Sequence, residues 1–387
     1  MAQHRWWVVA LVCAAHAAPP GTVAGGPGAA RGDFAEALEP RRFEFPRDHG
    51  PHPAFRQEWW YLTGNLDAAG GERFGFELTF FRVALLPRSD RPATDASAWR
   101  AREIYMAHFA ITDAARRRFV FQQRLSRSAL GLAGAQSEPF HVWLDDWSLE
   151  AAPSAPIGAW ELHAAQPGYA IDLTLEPQGA PVLNGQAGLS RKSARAGDAT
   201  YYYSIPRLSV RGRLLREGRT LELNGLAWLD REWGSGGLGA SQVGWDWFGL
   251  QLDDGSSFMF YALRQRDGRR DALSAGTWVA SDGTVRALAD ADVSIAVTDY
   301  WRNGSGERYP AAWRIRVPAV ALEIAVHPVL AGQELRTTPP YWEGAVDVSG
   351  NRAGRALGGR GYVELVGYAA ERRPAGAGGA DTQLHSR

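Results

Sequence analysis

Three consecutive charged residues, Asp230, Arg231 and Glu232, stand in the stretch LAWLDREWGS at 226–235, which otherwise has the composition of an apolar strand. Burying a single unpaired charge in such a strand costs several kcal/mol, so the triplet needs either partners or a function. The chemistry that these residues could perform depends on which of them share a face of the strand.

Alternate residues of a strand share a face, so the triplet is divided between the two sides. The predicted faces are Trp228, Asp230 and Glu232 on one side, and Leu229, Arg231 and Trp233 on the other. Two carboxylates on one face repel each other unless one keeps its proton or each has a hydrogen-bond donor. A protonated carboxyl beside aromatic walls could act as a general acid on an apolar substrate. Asp230 and Glu232 are therefore the candidate catalytic residues.

Two other interpretations of the triplet are open from the sequence. The charges could form a structural ion-pair network at the glycine-rich junction 234–237, with Arg231 paired to Glu58 or to Asp246. They could also line a binding pocket without catalysing a reaction.

Aromatic and polar residues near the triplet, or at matching places in the repeat described below, are candidate ligand-binding residues. They are Glu58, Trp60, Tyr61, His108, Tyr203, Arg231, Trp233, Trp245, Asp246 and Trp247. His108 lies between apolar residues and could equally be a core histidine. Among Tyr201, Tyr202 and Tyr203, alternation sends two side chains one way and one the other, so at least one hydroxyl could reach a pocket.

The sequence lacks the motifs that typically bind common cofactors or metals. It contains no GxGxxG that opens a helix, no GxxxxGK[ST], no HExxH and no CxxC, so we expect no cofactor and no metal site. Lys+Arg and Asp+Glu are both 42, and this zero net charge argues against a nucleic-acid partner.

An internal repeat indicates the elements that must hold these residues. Segments 59–82 and 245–264 both have the pattern of a β-hairpin, and segments 203–212 and 341–350 match each other from Tyr to Gly. With Trp 16, Tyr 12 and Phe 15 and no sustained helical periodicity, the chain is predicted to be all-β. We expect two tandem antiparallel β-barrel or sandwich domains, 42–236 and 240–368.

The repeat also bears on the charged triplet. If Gly225 matches Gly361, then Trp228 matches Glu364 and Asp230 matches Val366. The second copy would fold the same strand with one charge instead of three, which favours a role specific to the first copy.

The N-terminus has the pattern of a secretory signal peptide over residues 1–17, with a short basic start, an apolar run of ten residues and a small-x-small site AHA. A lipoprotein anchored at Cys13 is the alternative. Residues 18–41 are predicted to be a flexible linker and residues 369–387 a disordered tail. The expected location is the periplasm or the cell exterior.

Five stretches resemble the carotenoid 1,2-hydratase (hydroxyneurosporene synthase) and AttH-like family: HPAFRQEWWYLTGNL, AHFAITD, GLAWLDREWGS, GWDWFGLQLDDG and YWEGAVDVSG. The resemblance covers about 52–368 and implies two lipocalin-like domains with a ligand site in or between them, without a cofactor. Pigment-pathway members hydrate acyclic carotenoids. This sequence resembles the secreted bacterial group more closely, and most members of that group have no known reaction. Arg231 stands where hydratase-type members carry histidine, and arginine is a poor proton shuttle.

The resulting prediction is a secreted or periplasmic protein that binds an extended apolar ligand, an isoprenoid or a lipid, and could hydrate it. The alternatives are a carotenoid 1,2-hydratase-like hydro-lyase and a glycan-binding or glycan-cleaving protein. An apolar small molecule is the expected partner. Association with a membrane or an export transporter stays open, and the sequence specifies no oligomeric state.

Overall fold

The computed structural model of the chain describes residues 34–87, 101–152 and 158–369. The predicted signal peptide, most of the predicted linker and the tail beyond residue 369 lie outside the described residues. The described part is built from antiparallel strands, with short 3-10 helices at Arg47–His49, Asp290–Asp292 and Pro318–Val320 and no α-helix. It accordingly holds no helix suited to crossing a membrane. The all-β prediction is confirmed.

Thirteen of the described strands form a first sheet, in the order β4-β3-β2-β1-β13-β12-β9-β8-β7-β6-β5, with β10 and β11 paired to β12. The strands are β1 Gln57–Ala68, β2 Arg73–Ala84, β3 Glu103–Asp113, β4 Arg118–Arg127, β5 Ala133–Ser137, β6 Phe140–Leu144, β7 Trp147–Ala151, β8 Trp160–Gln166, β9 Tyr169–Pro177, β10 Val182–Leu183, β11 Leu189–Arg191, β12 Ala199–Arg216 and β13 Arg219–Gly234. The sheet curls so that β6 approaches β2, β3 and β4.

Ten of the described strands form a second curled sheet, in the order β17-β16-β15-β14-β23-β22-β20-β19-β18, with β21 paired to β22. The strands are β14 Gln242–Leu252, β15 Ser257–Gln265, β16 Ala275–Val279, β17 Val285–Ala289, β18 Ser294–Arg302, β19 Arg308–Val317, β20 Leu322–Pro328, β21 Glu334–Leu335, β22 Tyr341–Arg352 and β23 Arg355–Val366. The two sheets meet where β1 contacts β23, β2 contacts β22 and β12 contacts β14.

The repeat seen in the sequence corresponds to matching hairpins, β1–β2 with β14–β15 and β12–β13 with β22–β23. Gly225 lies opposite Leu66, and Gly361 lies opposite Leu250. A Cβ atom at either glycine would stand 2.2 Å from a carbonyl oxygen of the neighbouring strand. The two glycines therefore permit the same close approach of strands in both sheets.

Apolar side chains fill three layers, because the central strands are buried on both sides. The first sheet encloses one core that contains Trp60, Leu229 and Trp233. The second sheet encloses another, around Phe248 and Trp313. A third cluster lies between the sheets and includes Tyr61, Tyr202, Trp228, Trp247, Met259, Tyr261, Leu263, Ala345 and Tyr362. The two predicted faces of β13 thus meet different layers, the first core and the layer between the sheets.

Candidate active site between the two sheets

A cavity of about 580 Å³ lies in the layer between the sheets. Its volume is in the range that holds a drug-sized molecule. Most of the wall is aromatic or aliphatic, and polar side chains from β1, β2, β3, β12, β13, β23 and the segment after β11 interrupt it. The wall residues used below are Trp59, Tyr61, Thr79, Lys192, Thr200, Tyr202, Asp230, Glu232, Trp245, Trp247, Tyr261 and Glu364.

Asp230 is a buried wall residue held by three donors and by no ion pair among the described residues. Ser204 Oγ donates to Oδ1 at 2.5 Å, Trp228 Nε1 donates to the same oxygen at 2.6 Å, and the Tyr202 hydroxyl donates to Oδ2. Burial raises the pKa of Asp230 to about 7, although the three donors oppose the shift and the charge of Glu232 adds to it. A carboxyl with this pKa can hold or release a proton near neutral pH.

Glu232, two residues further along the same face, has a cation beside it. Lys192 Nζ lies 2.7 Å from Glu232 Oε1, and the Thr200 hydroxyl also donates to that carboxylate. Lys192 donates to Ser190 Oγ at 3.1 Å and sits 4.4 Å from the ring centre of Tyr261. Burial by itself lowers the pKa of Lys192, but the Glu232 carboxylate outweighs that effect and raises it. Glu232 is therefore an ion-paired carboxylate.

Glu364, on β23, brings a third carboxyl to the cavity from the second sheet. Trp245 Nε1 donates to Glu364 Oε2 at 2.8 Å. Burial raises the pKa of Glu364 to about 7, with the Trp245 donor opposing the shift and the charges of Asp230 and Glu232 adding to it. Each sheet therefore brings to the cavity one carboxyl with a pKa near 7, Asp230 from the first sheet and Glu364 from the second.

Sequence reasoning missed Lys192, Glu364 and Tyr202. Lys192 is the only lysine of the sequence, among many arginines, and this could have marked it as a candidate site residue. Glu364 is the one charged residue of the segment 361–368, which matches the segment with the charged triplet, and this was a second available signal. Tyr202 was one of three neighbouring tyrosines, and alternation alone could not tell which of them faced the cavity.

Seven of the predicted site residues line the cavity, namely Glu58, Tyr61, His108, Asp230, Glu232, Trp245 and Trp247. His108 Nδ1 lies 2.7 Å from the Tyr341 hydroxyl, and its Nε2 lies 2.8 Å from Gln123 Nε2. Burial lowers the pKa of His108 to about 3, so the ring is neutral at pH 7. With both ring nitrogens engaged, His108 is suited to shaping the wall.

The other predicted residues do not reach the cavity. Trp60, Tyr203, Arg231 and Trp233 belong to the opposite faces of their strands and point into the first sheet. Trp233 stacks on His52 with ring centres 3.7 Å apart, and the Tyr203 hydroxyl lies 2.6 Å from His49 Nδ1. Tyr202, whose side chain points the other way, occupies the place expected for Tyr203.

Arg231 and Glu58 form a buried ion-pair network inside the first sheet. Arg231 Nη2 lies 3.1 Å from Glu58 Oε2, and the guanidinium also donates to the carbonyls of Trp59 at 2.6 Å and Gly50 at 2.7 Å. Arg82 donates to the other oxygen of Glu58. Glu58 borders the cavity, but both of its carboxylate oxygens are engaged in this network, which makes its role structural.

Asp246 is not the partner of Arg231. Its carboxylate lies 3.0 Å from Arg264 Nε and accepts a hydrogen bond from the Tyr368 hydroxyl at 2.9 Å. Of the two partners predicted for Arg231, Glu58 is therefore correct and Asp246 is wrong. The alternation along β14 turns Asp246 away from the cavity that Trp245 and Trp247 line.

Comparison with known proteins agrees with this architecture. The AttH-like family matches residues 36–368. A solved structure assigned as AttH, from Nitrosomonas europaea, is 34% identical with a TM-score of 0.76, over 87% of this chain and 99% of that one. Kievitone hydratase from Nectria haematococca shares the fold at 15% identity with a TM-score of 0.64, over 86% of this chain and 98% of that one.

One curated relative also matches. It is the dehydratase asqC of Emericella nidulans, 26% identical over 220 residues, which are 53% of this chain. The match spans 60% of the length of that relative.

Proposed function

The chain belongs to the AttH-like family, and we propose that it is a cofactor-free hydro-lyase that adds water to, or removes water from, an uncharged and largely apolar small molecule. The observation that carries the proposal is the carboxyl of Asp230, which can keep its proton at neutral pH in the wall of an aromatic cavity. The names of two similar proteins, a hydratase and a dehydratase, support the reaction class.

In the hydration direction, Asp230 gives its proton to one carbon of a C=C bond. The π electrons form the new C–H bond, and the other carbon becomes a cation. Faces of aromatic rings stabilise a cation, and Tyr202, Trp245 and Trp247 supply such rings in the wall. Water then adds to the cation and gives up a proton, and dehydration follows the same steps in reverse.

The charges of the wall favour an uncharged substrate. Among the described residues, two cationic side chains border the cavity, and both are ion-paired, Lys192 with Glu232 and Arg82 with Glu58. An anionic substrate would find no unpaired cation among these described wall residues and would face the carboxyls of Asp230 and Glu364. A carotenoid, the narrower form of this proposal, would place only its reacting end in a cavity of about 580 Å³.

A binding protein without turnover is the second candidate, because the aromatic and aliphatic wall suits an isoprenoid or lipid ligand. In that case the protonated Asp230 would donate a hydrogen bond to the ligand. The signal peptide predicted at residues 1–17 would place either function in the periplasm or outside the cell.

Oxygen exchange tests the proposal without fixing the direction of the reaction. The protein is incubated in H₂¹⁸O with lycopene, neurosporene and a panel of neutral tertiary and allylic alcohols, and ¹⁸O incorporation is measured by mass spectrometry. We expect incorporation with at least one compound and a loss of more than about 100-fold in Asp230→Asn. Binding of Nile red, an uncharged apolar dye, should be unchanged in that variant. Dye binding without exchange on any compound would favour the binding protein, and undiminished exchange in Asp230→Asn would refute the role of Asp230.

A further inference from the structure

Adding water to a C=C bond moves two protons, one onto carbon and one away from the attacking water. A single carboxyl could serve both only if it reached both positions in turn, whereas two carboxyls on opposite walls serve them separately. Asp230, on the first sheet, accounts for one of these positions. The residue that serves the other has to touch the cavity and hold or release a proton near neutral pH.

Glu364 meets both requirements. It lines the same cavity from the second sheet, and its donor is the neutral indole of Trp245 at 2.8 Å. Within the described residues Glu364 has no ion pair. Glu232, the other carboxylate of the cavity that could serve, is 2.7 Å from Lys192 Nζ. Lys192 and Thr200 already engage the Glu232 carboxylate, so Glu364 is the better-placed acceptor for the proton of water.

A further carboxyl lies behind Glu364 and constrains its charge. Glu343 on β22 is the direct cross-strand partner of Glu364 on β23, and opposed residues of this kind have Cβ atoms about 4.5–5.5 Å apart. The Glu343 side chain is fully buried, and its Oε1 accepts a hydrogen bond from the hydroxyl of the cavity residue Tyr61 at 2.7 Å. Two carboxylates this close and this deep do not both ionise, so the pair retains a proton.

Glu77 extends this arrangement on the neighbouring sheet. It is also fully buried and accepts a hydrogen bond from the hydroxyl of Thr79, another wall residue. In the part of the chain that the structure describes, the second oxygen of Glu77 and that of Glu343 have no hydrogen-bond partner. Burial raises the pKa of Glu343 well above its ordinary value, and the charges of Glu364 and Glu77 add to the shift. Glu343 therefore keeps its proton while Glu364 titrates.

We infer that Glu364 is the second proton-transferring group of the site, and that Glu343 is a positioning residue: protonated, bonded to Tyr61 and directly across from Glu364, it leaves Glu364 as the member of the pair that titrates. This inference rests on the proposed function. In hydration the water oxygen bonds to the carbocation and its proton passes to Glu364, while Asp230 has given its own proton to carbon. In dehydration Glu364 returns a proton to the departing hydroxyl and Asp230 removes one from carbon.

Three glutamine variants test the inference by ¹⁸O exchange. Glu364→Gln should lose more than about 100-fold, because an amide cannot accept the proton of water. Glu343→Gln should stay within about 10-fold of the wild type, because glutamine reproduces a neutral carboxyl and still accepts the Tyr61 bond. The matched control is Glu334→Gln, a buried glutamate of the same sheet bonded to Asn303 and Tyr309 and away from the cavity, which should keep full exchange.

The pH profile distinguishes a catalytic role from a structural one. The titratable groups that interact with Glu364 are Asp230, Glu232, Glu343, Glu77 and Tyr61, and the indole of Trp245 is its hydrogen-bond donor. With an ionised Glu364 as base and a protonated Asp230 as acid, hydration should follow a bell-shaped profile near neutral pH, whose two apparent constants belong to the pair. Residual activity of Glu364→Gln should lose the low-pH limb, and Glu343→Gln should keep both limbs.

The outcomes separate this inference from the proposed function. Wild-type exchange that survives in Glu364→Gln, or that keeps its low-pH limb there, overturns the inference and leaves the hydro-lyase intact. A Glu343→Gln variant as inactive as Glu364→Gln would overturn the neutral positioning role of Glu343. Absence of exchange in the wild type with every compound overturns the proposed function itself, and the inference with it.

Discussion

The charged residues on the two faces of strand β13, Arg231 and Asp230, differ in the partners that surround them. On the face that meets the first core, Arg231 is matched by Glu58 and by backbone carbonyls, and its guanidinium lies 4.0 Å from the ring centre of Trp60. On the face that meets the cavity, Asp230 has hydrogen-bond donors but no ion pair within the described part of the chain. Arg231 therefore lies on a compensated face, where its charge is ion-paired, whereas the carboxyl of its neighbour Asp230 is uncompensated, because no cation pairs with it.

The partners, and not the depth of burial, decide the protonation of each carboxyl. Glu58 and Asp230 are both buried. Desolvation raises the pKa of both, but Arg82, His52 and Arg231 outweigh it at Glu58 and hold that pKa well below its usual range. At Asp230 nothing outweighs desolvation, and the pKa rises to about 7. The compensated carboxylate of Glu58 suits stability, and the uncompensated carboxyl of Asp230 suits proton transfer.

The largest expected effect is on stability, on the compensated face. Glu58→Gln removes the carboxylate that pairs with the buried Arg231 and one of the two that pair with the buried Arg82, which keeps Glu103. We expect the free energy of unfolding to fall by about 3–5 kcal/mol in urea titrations at pH 7. The control is Glu217→Gln, whose pairs with Arg116 and Arg118 are exposed and screened by solvent, so that its free energy of unfolding should stay close to that of the wild type. Equal effects of the two substitutions would abolish the distinction between the faces.

The two carboxyls should also give opposite dependences of stability on pH. The folded pKa of Asp230 lies above its unfolded value, so the folded state binds more protons and the wild type loses stability as the pH rises from about 4 to about 7. Asp230→Asn removes this loss, and its stability relative to the wild type should rise between pH 5 and pH 8 by at most about 4 kcal/mol. The penalty of Glu58→Gln should instead shrink as the pH falls below about 4.5, because Glu58 has a lowered pKa. Parallel pH dependences would contradict this assignment.

An intermediate effect is expected at Glu232, which shares the cavity face but has a cation. Glu232→Gln leaves the buried Lys192 without its carboxylate and should cost about 2–3 kcal/mol in urea unfolding. Adding Lys192→Met should recover part of that loss, and a double-mutant cycle measures the coupling. Strict additivity of the two substitutions would show that the pair is not coupled.

The smallest expected effects separate two adjacent tyrosines of β12. Tyr202→Phe and Tyr203→Phe each remove one buried hydroxyl, so each should cost about 1 kcal/mol of stability. Of these two tyrosines, only Tyr202 donates a hydrogen bond to Asp230, so only Tyr202→Phe should also change the rate and pH profile of ¹⁸O exchange. A change in exchange of the same size in Tyr203→Phe would mean that the two faces are not functionally separate.

The sequence predicts which side chains lie on the same face of a strand, but it does not predict which layer of the structure each face meets. Period-two alternation correctly grouped Trp228 with Asp230 and Glu232, because strand geometry fixes it. Trp233 and Tyr203 were wrongly included among the site residues, since both faces of β12 and β13 carry buried aromatic side chains and so look alike in sequence. Lys192 and Glu364 reach Asp230 only through the curl of one sheet and the packing of the other, which local patterns do not encode.

The central claim is that Asp230 can hold a proton at neutral pH in the wall of the cavity. Carbon-13 NMR of side-chain carboxyls measures this directly, with the Asp230 signal assigned by its loss in Asp230→Asn. We predict a titration midpoint near pH 7. A midpoint near 4, the value of an ordinary solvated aspartate, would show an ionised carboxylate at neutral pH and would contradict the account.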